Sequence, residues 1–429
     1  MNVNRVFITG YAALTSCGST INDTWNSIIN GETGIAEISS WDLSSWKSSL
    51  GGEIKNFQPR QMLADRKLLK VIARQDVIGL HVVQKAIEHS ALIDYRNTLT
   101  DAKHFNESTG IYVGSPGNKY FQQYEFLPLI AKSNNDMKVF AAELFNEVHP
   151  MWLLKILPNN VLAYTAINYG FKGANHNVTN HAVGGLQALI EAYNAIKYGQ
   201  IDRAVVVGYD IGIDPQALFY YDKLGVLSGQ HLKSFDKSHD GTILADGAAA
   251  VILESNHSVS QRNTRIYAEV LSGASTTEAE NLFSISNDGQ ALVKLIQKNL
   301  KLADISADAL NLVVAHGNGN VKSDDTEALA LDTIFASTQP PVTAFKWATG
   351  HTLAASGILD TVLTTISLQN NCIPGIANLE NLATNCANLN VSQHNRIIDS
   401  DKICALIINR GFASMNACLT LRSNNYHDL

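Results

Sequence analysis

The sequence predicts an α/β protein built from two similar halves, and three observations carry that expectation. Short β-branched runs that end in glycine or a polar residue alternate with amphipathic helical patterns, which is the signature of parallel strands covered on both faces. The layout of the first half returns in the second, with an early strand, a strand ending at a small-residue turn, and two closing strands joined by a tight connection. Between the halves, "SNHSVSQRN" is polar and aperiodic, so the joint is expected near 255–264, separating residues 1–255 from residues 265–429.

Taken in order, "RVFITG" at 5–10, "GIYVGS" at 110–115, "RAVVVGYD" at 203–210 and "GAAAVILES" at 247–255 read as buried strands of the first half. "RIYAEVLSG" at 265–273, "LNLVVAHGNG" at 310–319, "KICALIINRG" at 402–411 and "ACLTLR" at 417–422 are their counterparts in the second. Helical periodicity falls at 183–199, 289–302, 325–336 and 353–370. The interval 116–165 is weakly periodic and rich in aromatics, as expected of an insertion that caps a pocket or builds a subunit interface. Within it Tyr120 and Phe121, followed by Tyr124 and Phe126, are candidates to line or block a channel, although packing explains them equally well.

Composition excludes several classes of function. At 429 residues, 45% hydrophobic and 17% charged, the chain can bury a large core and is not of disordered type. A net charge of −7 provides no global field for nucleic acid. Five scattered cysteines without CxxC spacing suggest neither a metal site nor a disulfide framework, and reduced thiols are expected. The first residues lack a charged n-region and a long apolar h-region, and no apolar run reaches the roughly 18 to 20 residues of a membrane span. A soluble cytoplasmic protein is the expectation.

Four stretches carry chemistry. "NHNVTNHAVGGLQALIEAYNAI" has the build of a nucleophile elbow, a short apolar entry running through a small-residue turn into an amphipathic helix, with Ala182 where a nucleophile would stand. "VVAHGNGN" ends a strand at His316, "FKWATGHTLAASG" sets Lys346 and His351 before a helix, and "NRGFASMN" puts Phe412 in a tight turn. Each alone has a structural explanation; together, at strand ends and helix starts, they describe an α/β active site.

With "VFITGYAALTSCGSTINDTWNSIINGETGI", "SFDKSHDGTILADGAAAVILE", "VVAHGNGNVKSDDTEALAL" and "KWATGHTLAASGILDTV" in that order, the chain resembles the β-ketoacyl-acyl carrier protein synthases from Arg5 to Arg422. The resemblance implies a thiolase-like fold, two pseudo-symmetric βαβαβαββ halves in five layers (αβαβα). It also implies roles. His316 and His351 match the pair that holds the malonyl thioester carbonyl and stabilises the enolate after loss of carbon dioxide, and Lys346 matches the lysine that orients the second histidine, in a loop Glu327 helps to anchor. The backbone N–H groups of Ala182 and Phe412 match the oxyanion hole; Asn318, Asn320 and Phe412 match the residues along the pantetheine arm. Phosphopantetheine would arrive on an acyl carrier protein, with no cofactor or metal held by the chain itself.

The departures from the family pattern point to a changed role. Ala182 replaces the cysteine, and a methyl group cannot hold an acyl primer. His181, next to it, is expected to turn its imidazole away from residue 182. HGTGT reads HGNGN, and GFGGTN reads "GFASMN", where Ala413 and Ser414 would strain any left-handed turn and so alter the gating of Phe412. The pattern resembles the cysteine-less chain length factor (KSβ) of type II polyketide systems, nearest to the aryl polyene type, which pairs with an active ketosynthase. A malonyl-carrier protein decarboxylase, or a ketosynthase whose cysteine was replaced by alanine, are the alternatives; Asn180, His181, Val183 and Gly184 are untypical neighbours for a single replacement. Finally, "ADRKLLKVIARQD" is expected to present Arg66, Lys70 and Arg74, with Lys67 beside them, on one helix face as a positive stripe for an acidic carrier protein, or else as a plain solvated face.

Overall fold

The computed structural model describes residues 3–46, 48–119, 126–400 and 402–423. Its ten principal strands are β1 (Val6–Thr15), β2 (Thr109–Gly114), β3 (Asn175–Val178), β4 (Arg203–Asp210), β5 (Gly247–Ser255), β6 (Ala268–Thr277), β7 (Leu310–Val314), β8 (Val342–Thr343), β9 (Cys404–Gly411) and β10 (Met415–Ser423). They follow the order β8-β7-β9-β10-β6-β1-β5-β4-β2-β3. Read outward from the centre, both halves give the same sequence of partners: two antiparallel pairings, then two parallel ones. The halves meet where Val6–Ile8 of β1 pair antiparallel with Ala268–Val270 of β6.

The helices that position the site are α1 (Arg74–His89), α2 (Gly184–Lys197), α3 (Gln290–Ala303), α4 (Val321–Phe335) and α5 (Ser356–Gln369). α1 covers the outer face of the first half and α3 the outer face of the second, with α4 packed against α3. Between the two runs of strands lie α2 and α5, which touch each other and strands of both halves, giving the layered thiolase-like arrangement. β2, β4 and β5 are buried along their whole length, which accounts for their uninterrupted apolar sequences.

The crossing of α2 and α5 fixes small residues. A Cβ on Gly185 would lie 2.4 Å from the Ala354 carbonyl oxygen, and one on Gly357 would lie 2.6 Å from the Leu186 Cβ. Each central helix is entered through a short 3-10 turn whose first residue is left-handed, His181 (φ 50°) for α2 and Leu353 (φ 48°) for α5. The pseudo-symmetry of the sequence layout is thus repeated at the level of a strained backbone residue.

Two strands escaped the sequence reading. β3 carries Asn and His where periodicity asks for apolar residues, because it is the edge of the sheet and half of it is exposed. β8 is only two residues long. Residues 127–169 form four short helices, Leu127–Ser133, Met137–Glu147, Trp152–Lys155 and Asn160–Tyr169. They leave apolar side chains on the surface: Met137, Phe145, Leu153 and Ile167 are each more than half exposed.

Candidate active site

Strand β3 delivers the chain to the elbow. Ala182 has no exposed surface, and a Cβ built on Gly411 would lie 3.5 Å from both its Cβ and its nitrogen, so the turn carrying Phe412 runs against the elbow backbone. The two expected oxyanion residues are therefore neighbours. The sequence reading gave His181 no place here. Its ring nevertheless lines the cavity, stacked on Phe412 at 4.5 Å with 17° between planes and hydrogen-bonded through Nε2 to the Tyr221 hydroxyl at 2.8 Å. Burial, then the nearby Lys119 charge, pushes its pKa down to about 4, so the imidazole is neutral near pH 7.

His316 and His351 face each other with ring centroids 5.2 Å apart and planes at 79°, both fully within the protein. Their tautomers follow from the backbone. The Arg410 N–H donates to His316 Nδ1 at 3.3 Å, and the Leu353 N–H donates to His351 Nδ1 at 3.3 Å. Burial, reinforced by the Lys346 charge, holds both rings well below the ordinary histidine pKa, hence neutral, with the remaining proton on Nε2. Two N–H donors in one cavity can hold a single carbonyl oxygen and stabilise it as charge builds up.

Supporting groups set this pair. Lys346 Nζ lies 2.9 Å from Asp360 Oδ2 on α5, with both side chains 3% exposed. Glu327 accepts the N–H groups of His316 at 2.8 Å and Gly317 at 3.0 Å, and burial raises its pKa to about 7. Arg410, missed by the sequence reading, lines the same cavity and is bound by Glu278, Asn416, Thr326 and the Ser323 carbonyl. A lone cation in the apolar run "CALIINRG" was the signal available for it.

Asn318 and Asn320 line the cavity beside the histidines. Each spends its carboxamide oxygen locally: Asn318 accepts from the Asn320 N–H at 3.1 Å, and Asn320 caps α4 by accepting from Ser323 N at 3.3 Å. In the Phe412 turn, Ala413 (φ 60°) and Ser414 (φ 55°) are both left-handed, so the strained conformation is kept without glycine. It is tied down by hydrogen bonds from Ala413 N to the Leu282 carbonyl and from the Ser414 hydroxyl to the carbonyls of Asn281 and Ser284. Phe412 is thereby held among His181, Tyr221 and Phe283.

The expected positive stripe is not a single helix face. Arg66–Lys70 form a 3-10 helix capped by Asp65, the chain breaks, and α1 begins at Arg74. Arg74 turns inward to the buried Asp246 at 2.8 Å, because that carboxylate would otherwise lack a cation. Arg66, Lys67 and Lys70 remain exposed. Tyr120, Phe121 and Tyr124 lie outside the described residues; Phe126 packs on Trp152. No group of three or more His, Cys, Asp or Glu suited to a metal occurs among the described residues. Among them, too, no helix is long and apolar enough to cross a membrane.

The central helix starts of this five-layered fold thus lie beside a paired-histidine cavity. The models of the β-ketoacyl synthase N-terminal and C-terminal domains match residues 3–258 and 267–380, and the chain belongs to this family. It is 26% identical over 428 residues to the 3-oxoacyl-[acyl-carrier-protein] synthase 2 of Synechocystis, covering 97% of this chain and 98% of that one. The ishigamide ketosynthase/chain length factor superposes with a TM-score of 0.87 at 20% identity, covering 99% of this chain and all of that one. A type II polyketide synthase acyl carrier protein in complex with its ketosynthase bound to the hexaketide gives 0.83 at 21% identity, over 98% and 100% of the two chains.

Proposed function

We propose that this chain is a chain-length-factor-like subunit that pairs with a cysteine-bearing ketosynthase and shapes an acyl or polyene channel without condensing by itself. The observation that carries this reading is Ala182 at an otherwise intact elbow: with no sulfur there is no thioester to a primer. Support for a partner subunit comes from β3 at the end of the sheet and from the apolar side chains left exposed over 127–167. Among the described residues, no strand pairs with the outer edge of β3. Arg66, Lys67 and Lys70 offer the positive face for an acyl carrier protein, which would bring its own phosphopantetheine; the amide nitrogens of Asn318 and Asn320 are the groups left to meet that arm.

Incubation with acyl carrier thioesters, followed by intact-protein mass spectrometry, is expected to give no acyl adduct on this chain. Purification from its source is expected to bring down a second ketosynthase with an intact cysteine. A stable adduct, or a native homodimer that elongates, overturns the reading. One observation favours a second activity: the two neutral histidines keep their Nε2 protons for an enolate. Slow decarboxylation of malonyl carrier protein is the expected trace, and His351→Ala should lower it at least 10²-fold if the donor acts on the developing oxyanion.

A further inference from the structure

Two cavities meet at the elbow. The inner one, about 110 Å³, holds His316, His351, Asn318 and Arg410. The outer one, about 680 Å³ and mostly apolar, runs past Pro116, Ala217, Tyr220 and Leu353. His181, Tyr221, Phe283 and Phe412 line both, so these four rings are the wall between them. We propose that His181 is the specificity-determining residue of this site: its imidazole closes the throat between the cavities and limits the histidine chamber to acyl units of two or three carbons. This rests on the ketosynthase-type reading of the site given above.

The His181 ring is fixed on two sides. It stacks on Phe412, is held by the Tyr221 hydroxyl, and lines both cavities from a left-handed backbone position. A close-packed wall of this kind has no room for a chain unless a ring leaves it. The inner space is several times smaller than the outer one, with room for the few heavy atoms of an acetyl or malonyl unit beside the histidines.

The test restores a reporter thiol. In an Ala182→Cys variant, acetyl carrier thioester is expected to acylate the new cysteine while octanoyl thioester does so at least tenfold more slowly, read by intact mass. Adding His181→Ala should raise the octanoyl rate at least tenfold relative to the acetyl rate. Equal octanoyl rates with and without His181 overturn the proposal. A cysteine inert even to the acetyl donor counts instead against the retained condensing-enzyme frame, and the throat is then read from dodecanoate binding to the Ala182 chain. At least tenfold tighter binding by His181→Ala supports a closed throat; equal binding overturns it.

Discussion

Two successive left-handed residues without glycine, Ala413 and Ser414, store strain beside the gate. The left-handed conformation costs an L-residue about 1–2 kcal/mol, and glycine gives back about 0.4–1 kcal/mol through the freer unfolded chain. Ala413→Gly is therefore expected to raise stability by about 0.5 kcal/mol in urea titration, whereas Ser414→Gly gains nothing because the Ser414 hydroxyl bonds two carbonyls. His181 yields a pH prediction. An unfolded imidazole titrates near 6.5 and the folded one near 4, so the unfolded state binds more protons between those values. The native chain should lose stability relative to a His181→Phe variant as pH falls from 6.5 to 4. The change is on the order of 3 kcal/mol, complete near pH 4 and absent above about 7. Comparing the two proteins cancels the opposite contribution of Glu327, whose raised pKa stabilises the fold as pH falls.

At the scale of elements, the pairing of Lys346 with Asp360 links the short turn before His351 to α5. Removing one partner strands a buried charge, and Asp360→Ala is expected to cost about 3–5 kcal/mol. The double change Lys346→Met/Asp360→Leu should recover most of that stability in the same urea experiment while removing the Lys346 charge from beside the histidines. Elements with a full apolar face were legible in the sequence: 203–210 and 247–255 coincide with β4 and β5. The stripe at 64–76 was not, because charge spacing cannot reveal that Arg74 has a buried acidic partner 172 residues away. His316, His351 and Lys346 could be named from local motifs and are brought together as expected. His181, Tyr221 and Arg410 could not, since their importance lies in which rings and loops the fold folds against them.

At the scale of the whole molecule, the outer edge of β3, unpaired among the described residues, is where the partner proposed above would add a strand. The carbonyls of Ala174 and Val178 accept from β2, so alternation turns the N–H groups of Asn175 and Asn177 outward. Asn177→Pro thus removes an outward donor without breaking the internal ladder. It should keep the cooperative unfolding of the native chain and abolish co-elution with the partner subunit on size exclusion; intact co-elution would place the interface elsewhere.

The joint between the halves also sets an order of events during synthesis. β1 is flanked by β5 and β6, so its neighbours are made some 240 and more residues after it. At roughly 5–20 residues per second, its apolar edges wait on the order of 10–50 seconds for their partners. A nascent chain of this kind should lean on chaperones at the ribosome for as long as it takes to make the second half's first strand, and translation paused near residue 240 should be the moment at which it is most prone to aggregate.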